Sequence, residues 1–298
     1  MATATSQAPE TFEAAATALA TATAEEQTVR IVGSGTKLGW GNPQTTADLT
    51  LRTSGLDEIL EHNAGDLTAS LQAGVPLAVA QRTFATAGQM LALDPPLGDE
   101  RGATIGGIVA TGDSGPLRHR YGDPRDLVVG ATVALSDGTI AHAGGKVIKN
   151  VAGYDLAKLF SGSFGTLGLI LAVNVRLHPV YESRATALGA ATDPAVLAAA
   201  AIAVSAFPVE FEALDIAWHA GRGEVLGRCA GRGAVHRAQR AARRMRELGL
   251  SDTEVSDDDD RLWERQRARQ RSRERMLVRI AAAPTALADV LAAADACD

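Results

Sequence analysis

Hydrophobic residues recur along the chain with a period near 3.6 in some stretches and near 2 in others, and the stretches alternate, which predicts interleaved helices and strands. An alanine-rich run over residues 9–23, with Pro9 near its start, has helical spacing. The next apolar run, TVRIV at 28–32, is short and β-branched, so it reads as a strand leading straight into Gly33, Ser34, Gly35, Thr36 and Lys37. Further strands are expected at 47–51, 67–73, 126–135, 139–143 and 167–177, with helical turns at 55–62, 76–87, 103–111 and 155–160. Asp137-Gly138, between two of those strands, is a pair that favours a type I′ hairpin turn.

The pattern changes character at Pro179. Beyond it come a strand from Ala185, an alanine-rich helix with Pro194 near its start, strands at 212–218 and 224–230, and an arginine-rich helix at 235–248. An acidic run at 257–260 reads as a solvated loop, followed by a strand at 275–281 and a helix from Pro284. Two successive strand-helix-strand runs predict a second α+β domain. The division expected is therefore 1–180 and 181–298.

Composition supports that boundary. Of the 30 glycines in 298 residues, 23 precede Pro179, so the first part is built where backbone must turn tightly or come close to something. The formal charge of −6 falls mostly in the same part, and no large basic excess points to nucleic acid. The arginine-rich stretches at 237–246 and 261–279 are interleaved with Glu247, Glu264 and Glu274, which fits solvated helix faces or a subunit contact. Cys229 and Cys297 have no metal or redox spacing, and a reducing cytoplasm is the simplest compartment. No basic segment precedes an apolar core at the N-terminus and no run of about 18 apolar residues occurs, so neither export nor a transmembrane segment is expected.

The glycines fall in four clusters. Gly33-Ser34-Gly35 follows a strand, but Leu38 stands where a dinucleotide fingerprint needs its third glycine, and Gly39-Trp40-Gly41-Asn42-Pro43 cannot open a helix. The Rossmann reading fails. What remains is a loop whose successive N–H groups can hold an anion, with Thr36 and Lys37 adding a hydroxyl and a charge, or an ordinary turn. In the second cluster, Gly106-Gly107 sits inside a helical stretch at a cost of about 1 kcal/mol per residue relative to alanine, so a flat ligand or a tightly packed chain must require close approach there. Gly144-Gly145-Lys146 and Gly162-Ser163-Phe164-Gly165-Thr166-Leu167-Gly168 open the third and fourth.

In order, VGSGTKLGWG, LALDPP, ATIGGIVA, YGDPRDLVVGATVALSDG and GKVIKNVAGYDLAKLFSGSFGTLGLI resemble the PCMH-type FAD-binding domain of the vanillyl-alcohol-oxidase superfamily, and within it the FAD-binding subunits of bacterial glycolate oxidases. The resemblance covers roughly residues 11–179. It implies two α+β lobes holding an extended FAD, followed by a smaller α+β cap domain. Carried over position by position, Gly33, Ser34, Gly35, Thr36 and Lys37 would wrap the pyrophosphate. Pro95, Thr104, Gly106 and Gly107 would line flavin and pyrophosphate, Ser114 and Gly115 would continue that wall, and Tyr121 and Gly122 would lie beside it. Gly162, Gly165, Thr166, Gly168 and Ile170 would approach the adenosine and ribose. The cap ends at Asp298, sooner than in the resembled subunits, which leaves a short branch or a truncated chain.

Relatives with covalent flavin place a His or Cys at the cofactor; none lies in the first glycine loop and only His119 is near the second cluster, so non-covalent FAD is expected. Catalytic members also carry histidines in the second domain, where this chain has only His219 and His236, without metal-ligand spacing. Lys149 is an equal candidate for a flavin-facing cation and a strand-edge lysine, and Lys146 reads as the latter. Arg118, His119 and Arg120 are candidates for a substrate carboxylate, a phosphate or plain surface charge. The resemblance implies the FAD-binding flavoprotein subunit of a complex that oxidises a small 2-hydroxy acid such as glycolate, with a second flavoprotein and an iron–sulfur subunit as partners. Such a subunit would be cytoplasmic or held at the inner membrane face by those partners. A stand-alone alcohol or hydroxy-acid oxidoreductase and a non-catalytic electron-relay or scaffold subunit are the alternatives; no catalytic residue is assigned.

Overall fold

In a computed structural model of the chain, which describes residues 5–40, 46–96, 102–146, 156–270 and 278–296, two compact units form. One comprises Met1–Gly115 and Tyr121–Val180, the other Pro116–Arg120 and Tyr181–Asp298. The first unit begins with β1 (Thr5–Gln7) and α1 (Phe12–Ala24). Thr11 starts α1 by accepting the Ala14 N–H, and the helix buries Ala15, Ala16, Leu19 and Ala22. Strands β1 and β2 (Val29–Val32) flank β3 (Leu49–Arg52) in a parallel three-stranded sheet.

A larger antiparallel sheet follows, built from β4 (Ile59–Asn63), β5 (Thr68–Gln72), β7 (Val128–Ala134), β8 (Ile140–Gly144) and β9 (Leu169–Arg176) in the order β4-β5-β9-β7-β8. The run LILAVNV is almost wholly buried because β9 is the central strand, hydrogen-bonded to β5 and β7. Helices α2 (Leu77–Ala85) and α3 (Ile105–Thr111) pack Phe84, Ile105 and Ile108 into one core with Leu71, Val133 and Val173. Ala15, Leu19, Leu51, Leu169 and Leu171 form a second. Two-residue strands β6 (Gln89–Met90) and β10 (His178–Pro179) pair antiparallel, and α5 (Pro124–Leu127) is a single turn, as is α4 (Arg118–Tyr121), whose first three residues are grouped with the second unit.

Three expectations for this unit change. Residues 55–62 are not helical: a 3-10 turn at Thr53–Gly55 gives way to β4, because eight residues nucleate a helix poorly while β5 offers a ladder. Strand 126–135 starts later, since Asp123 and Asp126 cap each other around α5. Asp137-Gly138 is not a type I′ turn, as Gly138 alone has positive φ; the Gly138 N–H donates to Leu135 and the Leu135 N–H to Thr139, a three-residue loop ending in a left-handed glycine. Of the predicted short helix at 155–160, a 3-10 turn at Leu156–Leu159 is described and Asp155 lies outside the described residues.

The second unit is an antiparallel sheet of β11 (Arg184–Ala191), β12 (Ala213–His219), β13 (Arg222–Ala230) and β14 (Ser251–Ser256), ordered β12-β13-β11-β14. Its core is closed by α6 (Pro194–Ser205) and α7 (Ala234–Glu247), which turns Ala234, Ala238, Ala241, Ala242 and Met245 inward and keeps its arginines out of that core, with Arg237 half-buried and donating to the Ala230 and Arg232 carbonyls. The hairpin β12–β13 turns through Ala220 and Gly221, both with positive φ, so the type I′ geometry occurs here instead. Strand β14 escaped prediction because its polar sequence SDTEVS has no apolar alternation. At 278–281, where a strand was expected, the backbone is irregular and Val278 and Ile280 are exposed; 275–277 lie outside the described residues.

The acidic run is not wholly solvated. Asp259 is buried beside α8 (Asp260–Arg269), accepting from Arg228 Nε at 3.0 Å and Nη2 at 2.9 Å and from the Thr186 hydroxyl. The Trp263 indole N–H closes the cluster by donating to Thr186 Oγ1 at 2.8 Å, so α8 is pinned to the sheet. On β12, Asp215 accepts from Gln266 and Gln270, and burial pushes its carboxyl above the ordinary 3.8.

Removing one member of the buried pair strands the other. Asp259→Ala should lower the unfolding free energy by about 3–5 kcal/mol, read from urea denaturation; a loss below about 1 kcal/mol contradicts the buried-pair account. For Asp215 the sign is opposite: ionising it costs more folded than unfolded, so its effect on stability worsens as pH rises above 3.8. Asp215→Asn should be the more stable form at neutral pH and lose that advantage below 3.8, as thermal midpoints across pH will show.

Candidate FAD-binding cleft

A cleft of about 410 Å³ lies within the first unit, between the loop after β2, α3 and the turn before β9. Its lining brings together Gly33, Ser34, Gly35, Thr36, Lys37, Thr104, Gly106, Gly107, Gly165, Thr166, Gly168 and Ile170, residues drawn from three of the four glycine clusters. The parallel sheet delivers the loop 33–37 at the end of β2. Among the described residues, the N–H groups of Ser34, Gly35 and Thr36 find no protein acceptor, which leaves three donors for a ligand.

Helix α3 is the opposite wall, and its two glycines answer the close-approach question differently. A Cβ on Gly106 would stand 2.6 Å from Ala73 Cβ and 2.9 Å from its carbonyl oxygen, so there the requirement is a tightly packed chain. On Gly107 it would meet only Thr104 Oγ1, at 3.1 Å, and open cleft beyond. Thr104 caps α3 by accepting the Gly107 N–H at 3.3 Å, and lies against Gly33, where a Cβ would come 2.3 Å from the hydroxyl. Lys37 Nζ lies 3.0 Å from Asp113 Oδ2, with both side chains about 95% buried, and 5.8 Å from the Trp40 ring.

Six of the predicted residues do not line the cleft. Gly115 packs on Asp94 beside Pro95, next to Ser114; Tyr121 packs tilted against His178 with ring centroids 4.6 Å apart; Gly122 packs on Asp126. Gly162 donates its N–H to Val109 near the end of α3. Lys146 is exposed and pairs with Glu61 of the edge strand β4, while Lys149, Tyr154 and Asp155 lie outside the described residues. Arg118, His119 and Arg120 belong to the second unit: Arg120 pairs with Glu210 at 2.9 Å and lies over Tyr181, and burial against Phe211 lowers the His119 pKa.

Sequence reasoning missed Ile31, Trp40, Thr46, Ala110, Thr111 and Phe164. Phe164 carried a detectable signal, an aromatic between two glycines; it has φ of 54°, is half-exposed on the cleft, and donates its N–H to Ala110. The others are apolar or small hydroxyl residues whose place depends on tertiary packing, and Arg30, which also lines the cleft, was legible only as part of the strand before Gly33. Among the described residues the lining contains no His, Cys, Asp or Glu.

Residues 6–144 match the family model described as FAD binding domain. By sequence this segment, just under half of the chain, is similar to FAD binding domains. Its donor set fits that cofactor: three unclaimed amides and the Thr104 hydroxyl suit a diphosphate, and the Cβ-free wall at Gly107 admits a flat or extended group. The chain is 39% identical over 156 residues to glycolate oxidase subunit GlcD of Bacillus subtilis (strain 168), covering 52% of this chain and 33% of that one. It is 38% identical over 150 residues to glycolate oxidase subunit GlcE of Escherichia coli (strain K12), 50% and 42% of the two chains. A D-lactate dehydrogenase of Archaeoglobus fulgidus is 39% identical over 147 residues, 49% and 32%. Each match thus spans less than half of the relative. In fold, the chain is similar to alkyldihydroxyacetonephosphate synthase, with a TM-score of 0.71 at 16% identity over 88% of this chain and 55% of that one.

The two glycines of α3 separate folding from binding. Gly107→Val should abolish FAD retention, measured by flavin absorbance after gel filtration, while the far-UV circular dichroism of the apoprotein stays unchanged. Gly106→Val should instead destabilise the fold itself by several °C in thermal midpoint, since its new methyls meet backbone. Unchanged flavin content in Gly107→Val contradicts the placement of the cleft.

Proposed function

We propose that this chain is the FAD-binding flavoprotein subunit of a complex that oxidises a small 2-hydroxy acid of the glycolate or lactate class to the 2-oxo acid. The observation that carries the reading is the glycine-walled cleft with its unclaimed amides, lying in a segment that matches an FAD binding domain and hydroxy-acid oxidoreductases by sequence. Bound flavin supplies the acceptor for the electron pair that leaves the substrate carbon. The chain's own residues bind and orient: Ser34, Gly35, Thr36 and Thr104 hold the diphosphate, Gly107 gives it room, and Gly165, Thr166, Gly168 and Ile170 border the other end. The attachment in this reading is non-covalent. Residues 1–180 serve as the cofactor domain and 181–298 as the cap that meets substrate or partner subunits. A second flavoprotein and an iron–sulfur subunit are the proposed partners, with a cytoplasmic location or attachment through them to the inner membrane face. No helix among the described residues is long and apolar enough to cross a membrane.

One observation favours a second reading, an electron-relay or scaffold subunit. Oxidising a hydroxy acid needs a base for the hydroxyl proton, and the described cleft lining contains neither imidazole nor carboxylate. Anaerobic titration separates the two. The purified chain should take up FAD and turn yellow; bleaching by glycolate or D-lactate without another subunit identifies independent catalysis, whereas bleaching only after a partner subunit is added identifies the relay. A chain that binds no FAD overturns both.

A further inference from the structure

The contacts of the loop 33–37 with α3 are made at both ends of that helix. At its start Gly33 touches the capping Thr104; just past its end, after the left-handed Gly112, Asp113 pairs with Lys37. The loop itself turns, since Gly35 has positive φ and its carbonyl accepts the Leu38 N–H at 3.4 Å, so it is the long Lys37 side chain that spans to Asp113. The loop is thus fastened at both ends of α3, with Gly107 and the unclaimed amides of Ser34, Gly35 and Thr36 lining the cleft.

We propose that the Lys37–Asp113 pair is a strut that fixes the width of this groove, so that Lys37 and Asp113 are positioning residues for the diphosphate loop and Lys37 is not its cationic ligand. Three observations support it. Both side chains are about 95% buried, and an ammonium so enclosed requires a counter-charge within reach, which Asp113 supplies at 3.0 Å. The pair is neutral as a unit, so it adds no net charge toward the phosphates, and the donors that the loop itself offers are backbone amides, whose geometry depends on where the loop is held. At the other end Gly33 lies against Thr104, where a Cβ would come 2.3 Å from the hydroxyl, so the loop abuts α3 at both ends and the strut sets the spacing at one of them. The inference rests on the assignment of the cleft to FAD.

A double-mutant cycle tests it, with FAD affinity read by quenching of flavin fluorescence and apoprotein stability by thermal unfolding without FAD. As a strut, Lys37→Met and Asp113→Asn should each weaken FAD binding tenfold or more and each lower the apoprotein's thermal midpoint. The double variant, which buries no unpaired charge, should recover part of both losses. As a phosphate ligand, Lys37 would behave otherwise: Asp113→Asn would release the cation and leave FAD affinity unchanged or higher, and the double variant would match Lys37→Met. That pattern, or strictly additive losses, overturns the strut. Should either single variant fail to fold, the folded double variant carries the decision by its FAD affinity: near wild type supports the strut, a tenfold loss or more overturns it. Absence of FAD uptake by the wild-type chain would instead refute the cofactor assignment beneath it.

Discussion

The hydrogen bond from the Gly106 N–H to the Ala73 carbonyl, 2.8 Å long, sets where α3 lies, and the cleft depends on that placement. Two more backbone bonds, from Ile105 to Val75 and from Leu77 to Ala103, stitch the same turn to the segment leaving β5. A helix can come this near to another backbone only where the facing residue has no side chain, so glycine at 106 is a condition of assembly, at the modest local cost that glycine imposes on a helix. Once α3 is docked, its cap at Thr104 meets Gly33, its far end brings Asp113 to Lys37, and Gly107 faces empty space. The binding wall is thus a by-product of a packing contact one residue away.

The second unit is held by a different kind of interaction. Its helices bury alanines, which bring little apolar area each, and the opposite side of the sheet buries Arg228, Asp259 and Thr186 under Trp263. Such a polar cluster contributes more to fixing one arrangement than to raw stability, because its members are costly when unpaired. It fixes α8, a helix whose sequence, DRLWERQRAR, has too few apolar positions to dock by burial alone.

How far the sequence exposed all this depended on whether a signal was local. Glycine-rich order and the strand before Gly33 were legible because close approach and tight turns restrict residue type at single positions. So were the long buried strand at β9 and the alanine spacing of α7. Strands β4 and β14 were not: both are edges whose polarity comes from solvent on one side, and each is a strand only because a neighbour offers a ladder. Asp259 was unreadable for a related reason, since nothing in the run DDDD says which carboxylate will meet Arg228. The two glycines of α3 illustrate the limit well; adjacent and identical, they differ only in what stands opposite.

The distribution of ionisable groups bears on which half of the chemistry this chain performs. In the second unit the buried carboxylates are committed: Asp259 to Arg228 and Thr186, Glu212 to Arg184 at 3.5 Å, Asp215 to two glutamine amides. In the first unit Asp113 is committed to Lys37. A general base must be able to accept a proton near the reacting carbon, and a carboxylate already spending its lone pairs on an arginine fork is a weaker one. Among the described residues, then, the cleft and its surroundings hold and orient well but offer no poised proton acceptor.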